Sequence, residues 1–551
     1  MDPYAPRQWQ PHEQPKLLGS PSTPHHPTHR RIQYGIVGLI VSLTGGLSNA
    51  LVTANLPYLQ GSLGAYAAEM AWLPAAYVMT NVSANLLLVK FRQQFGLRLY
   101  TEIFLVLYAL IAFAHVFVND LGSAIAVRAA HGFAGAALTT LGLYYIIQAF
   151  PLQYRLKALV FGWGMSQIAL PLARIFSTEL LQFAEWRGLY LFELGLALLA
   201  LGCVLALKLP PGDRVRVFEK LDFLTFILFA TGASCLAAVL SLGRYLWWFE
   251  SAWLGVALAA SILFLVAAAA IEHYRANPLI NTRWLASGTM LRLALSIMLI
   301  RIVLSEQSVG SVGFMQALDL NNDQMLGMSM LVLGGCMAGL AVSAFTIKGN
   351  LAPLHLLIAV ACIAIGAFMD ARSNNLTRPV NMYLSQTLLA FGSTFFIAPS
   401  MLIGLGQVLT QPRNLISFTV LFGMTQNMGG LIGTSMLGTL QILREKYHSS
   451  YLVENLNMMD PQVVARINSG AAAYSHQITD PALLNNAGLS RLSAAAAREA
   501  TVLSYNDVFL AIGWVAIFTL AWILLDLFWQ RYAAKRPVAA PTPTLAVSST
   551  P

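Results

Sequence analysis

Five ionisable residues lie inside long apolar runs of the sequence: Arg128, Arg174, Glu193, Arg301 and Glu306. An ionisable group in a hydrocarbon environment is costly unless it pairs or faces water, so each is a candidate functional residue. Burial disfavours the charged form of a carboxyl group, and a buried Glu therefore binds a proton and releases it when a cation approaches. The two glutamates predict proton binding coupled to the movement of another solute.

The order of the charges suggests how they are paired. We interpret Arg128 and Glu193 as an ion pair for which Arg174 competes; the alternative is a permanent pair that stiffens the protein. Arg301 and Glu306 are five residues apart and lie on different faces of a helix, so each needs a partner elsewhere. If all five charges face one cavity, the excess of Arg predicts an amphipathic anion as substrate.

His131 lies three residues after Arg128. Its unperturbed pKa of about 6.5 suits a proton relay, and a hydrogen-bonded packing histidine is the alternative. The sequence has no phosphate-binding Gly-x-x-x-x-Gly-Lys-Ser/Thr loop, no His-Glu-x-x-His metal site and no Gly-x-Ser-x-Gly nucleophile turn. We therefore expect no enzyme activity, no cofactor and no metal site, and an ion gradient as the energy source.

The elements that carry these residues are membrane-spanning helices. Hydrophobic residues make up 57% of the chain and charged residues 10%, which suits lipid as the main solvent. Because lipid cannot satisfy exposed backbone groups, the spans must be helices. Fourteen spans are predicted near 34–57, 69–89, 99–118, 121–149, 158–183, 187–208, 223–243, 252–272, 289–316, 325–346, 351–369, 382–407, 414–441 and 506–530.

The distribution of basic residues predicts the topology, because short cytoplasmic loops are enriched in Lys and Arg. With an even number of spans and both termini in the cytoplasm, most basic residues fall on the inner side. The predicted inner segments carry Arg30, Arg31, Lys90, Arg92, Arg98, Arg155, Lys157, Lys208, Arg214, Arg216, Lys220, Arg275, Arg283, Lys348, Arg413, Arg531, Lys535 and Arg536, and the short outer loops carry Arg187, Arg244, Arg372 and Arg378.

The remaining segments are two tails and one long loop. Residues 1–32 are predicted to be a disordered tail, since residues 1–31 hold 7 prolines, and residues 531–551 form a second tail. Residues 444–505 form a long outer loop with alanine runs, either a contact surface for another protein or a hairpin that extends the last two helices. The net charge of +9 lies in short loops and does not predict nucleic-acid binding.

Several local patterns together resemble one family. The patterns are RAAHGFAGAA (128–137), KLDFLTFILFATG with GRYLWWFES and NPLINTRWL (220–285), and NMGGLIGTSMLGTL followed by a long loop and YNDVF (427–509). Their order is similar to that of the major facilitator superfamily, in its fourteen-helix drug:proton antiporter branch of EmrB-like multidrug efflux permeases. The resemblance implies two six-helix bundles, 33–210 and 284–530, joined by a cytoplasmic loop and two linker helices, 211–283.

The sequence departs from the family pattern at positions that carry charge. The resemblance implies a conformational-switch loop at 89–98, where Gly96 and Arg98 are kept but Gln93 replaces an Asp. In helix 1, Ser48 stands where the family has an Asp. In helix 5, Arg174 replaces a Gly. The resemblance also marks Arg128 and Gly132 as retained coupling residues, whereas His131 and Glu193 are particular to this chain.

The resemblance implies an exporter of drugs, toxic organic acids or natural products in a bacterial inner membrane, driven by proton antiport. It also implies a periplasmic adaptor and an outer-membrane channel as partners. The altered helix 1 and helix 5 motifs leave two alternatives open. One is an uptake permease or a transporter that is not coupled to protons, and the other is a transporter-like receptor or assembly factor.

Overall fold

The computed structural model describes residues 13–14, 19–212, 214–348, 351–411 and 414–534, and the regular secondary structure in these ranges is helical. Fourteen helical segments in this part are long and apolar enough to cross a membrane, which confirms the predicted fold. They are α1 Thr28–Ala54, α2 Ala67–Phe95, α3 Leu97–His115, α4 Leu121–Ala149, α5 Lys157–Phe183, α6 Glu185–Ala206, α7 Lys220–Leu246, α8 Ala252–Tyr274, α9 Gly288–Ala317, α10 Leu326–Thr346, α11 Ala352–Asp370, α12 Pro379–Val408, α13 Leu415–Glu454 and α14 Pro481–Trp529.

The helices form two six-helix halves, α1–α6 and α9–α14, with α7 and α8 between them in sequence. Each half has its own apolar core, represented by Tyr108 and Leu138 in the first half and by Ile363 and Phe396 in the second. A further apolar cluster combines residues of α2, α7 and α13. Helix α7 therefore packs against both halves.

Three spans are interrupted near their middle. The α-helical part of α5 stops at Gly164 and resumes at Ala169, and that of α12 stops at Phe395 and resumes at Ile397. In α9, a π-helical turn covers Glu306–Gly310. Such turns occur often at functional sites, because they turn side chains out of the regular helical register.

The two halves touch near both membrane surfaces. We call the side where α1 begins the terminal side, and the side of the α13–α14 connection the hairpin side. On the hairpin side, the Asn322 amide donates to the Ala54 carbonyl and to Asn55 Oδ1, both at 3.4 Å. On the terminal side, Val160 of α5 packs against Leu340 of α10. The halves are therefore in contact on both sides.

The predicted outer loop 444–505 is largely helical. Helices α13 and α14 continue well beyond the predicted ends of their spans, and a short helix, Pro461–Ala472, lies between them. Gly488 of α14 lies against this short helix, since a Cβ at Gly488 would be 2.4 Å from the Ile467 carbonyl oxygen. The loop is thus a helical hairpin.

Part of the predicted N-terminal tail is packed against the first half. Helix α1 begins at Thr28, before the predicted boundary at residue 33. Ser22 is buried, and its backbone N–H and hydroxyl donate to the Pro211 carbonyl at 3.1 and 2.7 Å. Gln148 donates to the Ser22 carbonyl at 2.8 Å. The segments 1–12, 15–18 and 535–551 of the predicted tails lie outside the described residues, and so does Arg413 between α12 and α13. The last of these segments includes Lys535 and Arg536.

Candidate functional site

Glu193 of α6 lies in a buried polar cluster inside the first half. Its Oε1 is 3.3 Å from His131 Nε2 of α4, and the Tyr108 hydroxyl of α3 donates to the same oxygen at 3.4 Å. All three side chains are buried. The carboxyl group therefore contacts a side chain that can itself accept or donate a proton.

Arg128 belongs to the same cluster but uses neutral acceptors. Its guanidinium donates to the Ser48 carbonyl at 3.0 Å and to Asn49 Oδ1 at 2.8 Å, and it lies 4.8 Å from the centre of the Tyr77 ring. In the described part of the chain, Arg128 and Glu193 make no direct ion pair, which differs from the predicted pairing. The side chain instead reaches α1, although its charge still acts on Glu193 over a longer distance.

His115 is a member of this cluster that the sequence did not single out. Its ring stacks on Tyr190, with centroids 4.7 Å apart, and lies 4.8 Å from the His131 ring. His115 Nε2 and His131 Nδ1 are buried without a hydrogen-bond partner. These two nitrogens are therefore free to bind or release a proton beside Glu193.

The same residues meet the distance requirement for a metal site. The ligand atoms of His115, His131 and Glu193 lie within 4.8 Å of one another. The charge of Arg128 acts on all three groups and opposes a bound cation. We therefore interpret the cluster as a proton-binding group.

Gly132 brings α4 close to α2. A Cβ at this position would lie 2.2 Å from the Tyr77 carbonyl oxygen and 2.4 Å from Thr80 Oγ1. The Thr80 hydroxyl also donates to the Ala129 carbonyl at 2.6 Å. Gly132 thus fixes the helix contact that positions Arg128 and His131.

The second half contains a separate acidic cluster. Gln386 of α12 donates to Glu306 Oε1 at 3.0 Å and to Asp370 Oδ2 at 2.8 Å. Ser311 donates its backbone N–H to Glu306 Oε1 at 3.2 Å. Glu306 and Asp370 are buried, and Glu306 Oε2 has no partner. The sequence predicts that Glu306 needs a partner from another helix. That partner is the side-chain amide of Gln386, which also donates to Asp370.

Arg174 points from the first half toward the second. Its guanidinium donates to the Gln307 carbonyl of α9 at 3.3 Å and borders a cavity of about 20 Å³. The charge of Glu306 acts on Arg174. The cavity has room for a water molecule but not for an organic substrate, so substrate binding requires the halves to separate.

Arg301 lies nearer the terminal side of the same interface. Its Nε donates to the Gln426 carbonyl of α13 at 3.2 Å, and its NH1 group donates to Gln167 Oε1 of α5 at 3.4 Å. The five charged residues thus do not all face one cavity, since Arg174 alone of the five lines the cavity described above. Arg128 and Glu193 share the first cluster, Arg174 lies near Glu306, and Arg301 is separate.

The switch loop contains the two retained residues, Gly96 and Arg98. Gly96 has a φ of +86°, which favours glycine, and a Cβ there would lie 2.5 Å from Arg214 Nε. Gln94 Oε1 accepts the backbone N–H of Val217 at 3.2 Å, and Arg98 pairs with Glu102 at 2.9 Å on the surface. The segment before α7 therefore holds this loop in place.

Comparison with known proteins places these features in a family. A sequence profile described as Major Facilitator Superfamily matches residues 38–434. "Probable multidrug resistance protein EmrY" of Escherichia coli (strain K12) is 22% identical over 492 residues, which covers 86% of this chain and 92% of that protein. "Efflux pump mokI" of Monascus pilosus is 27% identical over 231 residues, 36% of this chain and 40% of that protein.

Among solved structures, the human organic anion transporter MFSD10 (TETRAN) is similar in fold. The TM-score is 0.52 at 12% sequence identity, and the match covers 89% of this chain and 100% of that one. At this identity the likeness concerns the arrangement of the helices alone.

Proposed function

This chain belongs to the Major Facilitator Superfamily, and from that premise we propose that it exports small amphipathic molecules in exchange for protons. It is a multi-pass membrane transporter of small molecules and not an enzyme. The proposed substrates are drugs, toxic organic acids or natural products. The proposed location is a bacterial inner membrane, with both termini in the cytoplasm as the loop charges predict.

The contact between Glu193 and His131 carries the proposal. A transporter that alternates between two open states needs a group whose charge changes between them. Glu193 binds the proton when the cavity between the halves is open to the hairpin side. It releases the proton when the cavity is open to the terminal side. His131 and His115 exchange the proton with Glu193, and Arg128 favours its release by stabilising the carboxylate.

Export, rather than uptake, is supported by the names of the relatives, one a probable multidrug resistance protein and the other an efflux pump. The helical hairpin between α13 and α14 projects from the side that is periplasmic in this proposal. It offers a surface for a periplasmic adaptor, which would connect the transporter to an outer-membrane channel.

The proposal is tested in everted membrane vesicles that contain the full chain. The vesicles are acidified by respiration, and a fluorescent pH probe reports proton release when an amphipathic compound is added. Wild type is expected to release protons, and Glu193→Gln is expected to abolish the release because its amide cannot carry a proton at this position. Glu250→Gln, at an exposed glutamate between α7 and α8, is the matched control and should behave as wild type.

The same variants are then tested for resistance in a Gram-negative host that lacks its own pumps. Loss of both resistance and proton release in Glu193→Gln, with the protein still in the membrane, supports proton-driven export. Unchanged proton release and unchanged resistance in this variant would refute the proposed role of Glu193.

A further inference from the structure

Two arginines cross the interface between the halves in opposite directions. Helices α5 and α9 both run from the terminal side to the hairpin side. Arg174 of α5 donates to the Gln307 carbonyl of α9 at 3.3 Å, and Arg301 of α9 donates to Gln167 Oε1 of α5 at 3.4 Å. At 1.5 Å per residue, these two contacts are roughly 9–10 Å apart along the membrane normal. Each half thus contributes one guanidinium that donates a hydrogen bond to a glutamine of the other half.

The acceptors of these guanidiniums are all neutral. Besides Gln167, Arg301 bonds to the Gln426 carbonyl at 3.2 Å. In the described residues, neither Arg174 nor Arg301 makes an ion pair with an acidic side chain. Glu306 acts on the charge of Arg174 from a distance, and its Oε1 accepts from Gln386 and not from Arg174. Among the residues that the structure describes, no acidic group acts on Arg301 in this way, and a buried charge without such a group is costly.

The glutamines beside the arginines have unused hydrogen-bonding capacity. The Gln307 side-chain Nε2 and the Gln426 side-chain Oε1 and Nε2 are buried without a hydrogen-bond partner. These are the residues whose backbone carbonyls accept from Arg174 and Arg301. Gln307 and Arg174 also line the same cavity. The two unmet donors among these atoms, Gln307 Nε2 and Gln426 Nε2, are complementary to a carboxylate or a sulfonate.

The cavity beside Arg174 has both apolar and polar walls. Its apolar lining consists of Leu170, Pro171, Val312, Met328 and Val332, and its polar lining includes Gln307, Ser311, Ser329 and Gln386. Apolar surface next to a cation suits a ligand with an apolar body and an anionic end. Such a ligand enters as the halves move apart, because the present cavity is too small for it.

We propose that the substrate of this transporter is an amphipathic organic anion, held by Arg301 and Arg174 in place of their glutamine contacts. A carboxylate offers a guanidinium two charge-assisted hydrogen bonds, which are stronger than bonds to a neutral amide oxygen. Binding therefore replaces the contacts that join α5 to α9 and favours separation of the halves. The inference rests on the proposed transport function, but not on proton coupling.

The test compares three probes with the same naphthalene ring and different charge: 1-naphthaleneacetate, its neutral amide and 1-naphthylmethylammonium. Binding to the purified full chain in lipid nanodiscs is measured by calorimetry. Wild type is expected to bind the anion more tightly than the amide, and the cation least. Arg301→Gln is expected to weaken anion binding roughly 10- to 100-fold, because it removes a charge-assisted hydrogen bond. Binding of the neutral amide should change little.

Two further variants separate charge from structure. Arg301→Lys keeps the charge and should keep most of the preference for the anion. Arg187→Gln removes an exposed arginine that stacks on Trp186, and it should bind all three probes as wild type does. If Arg301→Gln does not fold, Arg174→Gln and the wild-type order of affinities still decide the question.

Tighter binding of the cation than the anion by wild type, or equal anion binding by wild type and both Gln variants, would overturn the inference. If vesicles then export the cationic probe in a Glu193-dependent way, the proposed function stands without the anionic substrate. If the anion binds through Arg301 but no probe is transported, the anion site stands and the export proposal fails.

Discussion

Gly132 shows how one residue sets the distance between two helices. Its missing side chain allows α4 to approach α2, since a Cβ would lie 2.2 Å from the Tyr77 carbonyl oxygen. We expect Gly132→Ala to force the helices apart and to cost about 1–3 kcal/mol of stability, as overpacking of a tight contact does. To measure the loss of stability, the purified protein is heated, and size-exclusion chromatography gives the fraction that remains folded at each temperature.

Gly202 of α6 is the matched control for this substitution. A Cβ at Gly202 would meet no heavy atom within 4 Å, so Gly202→Ala adds the same methyl group without a clash. It should unfold at the same temperature as wild type or slightly above it, because Ala favours the helix over Gly. A Gly132→Ala protein as stable as Gly202→Ala would show that the α2–α4 contact tolerates a side chain.

At the level of residues, the sequence identifies the charged groups but not their partners. Arg128 and Glu193 stand out because charge is rare in apolar runs, yet their contacts depend on how each helix is rotated against its neighbours. Asp370 was missed because it lies one residue past the predicted end of its span. Gln167, Gln386 and Gln426 were missed because they are neutral, although polar amides in apolar runs are a signal of the same kind.

At the level of elements, hydropathy finds the membrane part of a helix and not its full length. Fourteen apolar runs gave fourteen spans, because contact with lipid requires about 20 apolar residues in each. The ends of α13 and α14 were not predicted, since beyond the membrane these helices continue in water with polar and alanine-rich sequence. Hydropathy also does not predict which residues of the two halves are in contact.

Helices α7 and α8 are tied together by one arginine outside the membrane. Arg275, just after α8, pairs with Glu219 at 2.7 Å, Asp222 at 2.8 Å and Glu272 at 3.0 Å. Asp222 also pairs with Lys90 of α2 at 2.6 Å. Burial lowers the pKa of Arg275, but hydrogen bonds to Glu219 and Asp222 outweigh it and raise the pKa above its usual value.

A raised pKa of Arg275 stabilises the fold at all pH values below the ordinary pKa of an arginine, about 12.5, and the contribution is lost only above that. We therefore expect Arg275→Met to lower the unfolding temperature equally at neutral and at mildly alkaline pH. Removing one partner of a buried ion pair costs about 3–5 kcal/mol. Arg283→Met, at an exposed arginine of the same loop, is the control and should have little effect. A loss that disappears at alkaline pH would contradict this assignment.

At the level of the whole molecule, the two halves are in contact at both membrane surfaces. Alternating access requires one of these contacts to open while the other stays closed. On the hairpin side the contact is made by Asn55 of the first half and Asn322 of the second, whose side chains approach to 3.4 Å. If this contact is part of the transport cycle, fixing it must stop transport.

The prediction is tested with Asn55→Cys and Asn322→Cys together, in a background where Cys203, Cys235, Cys336 and Cys362 are replaced by Ala. The unlinked double variant should transport substrate. A short, reducible reagent that joins two thiols should abolish transport by holding the hairpin side closed, and reduction should restore it. Transport is measured as probe accumulation in everted vesicles before linking, after linking and after reduction.

The matched control joins two positions within one half. Asn506 of α14 donates to the Ser373 carbonyl at 2.8 Å, and both residues lie on the hairpin side of the second half. Linking Ser373→Cys to Asn506→Cys should leave transport intact, because each half moves as a unit. Equal loss of transport in the two linked proteins would mean that the second half changes shape internally. Full transport by linked Asn55→Cys and Asn322→Cys would mean that the hairpin side never has to open between these residues.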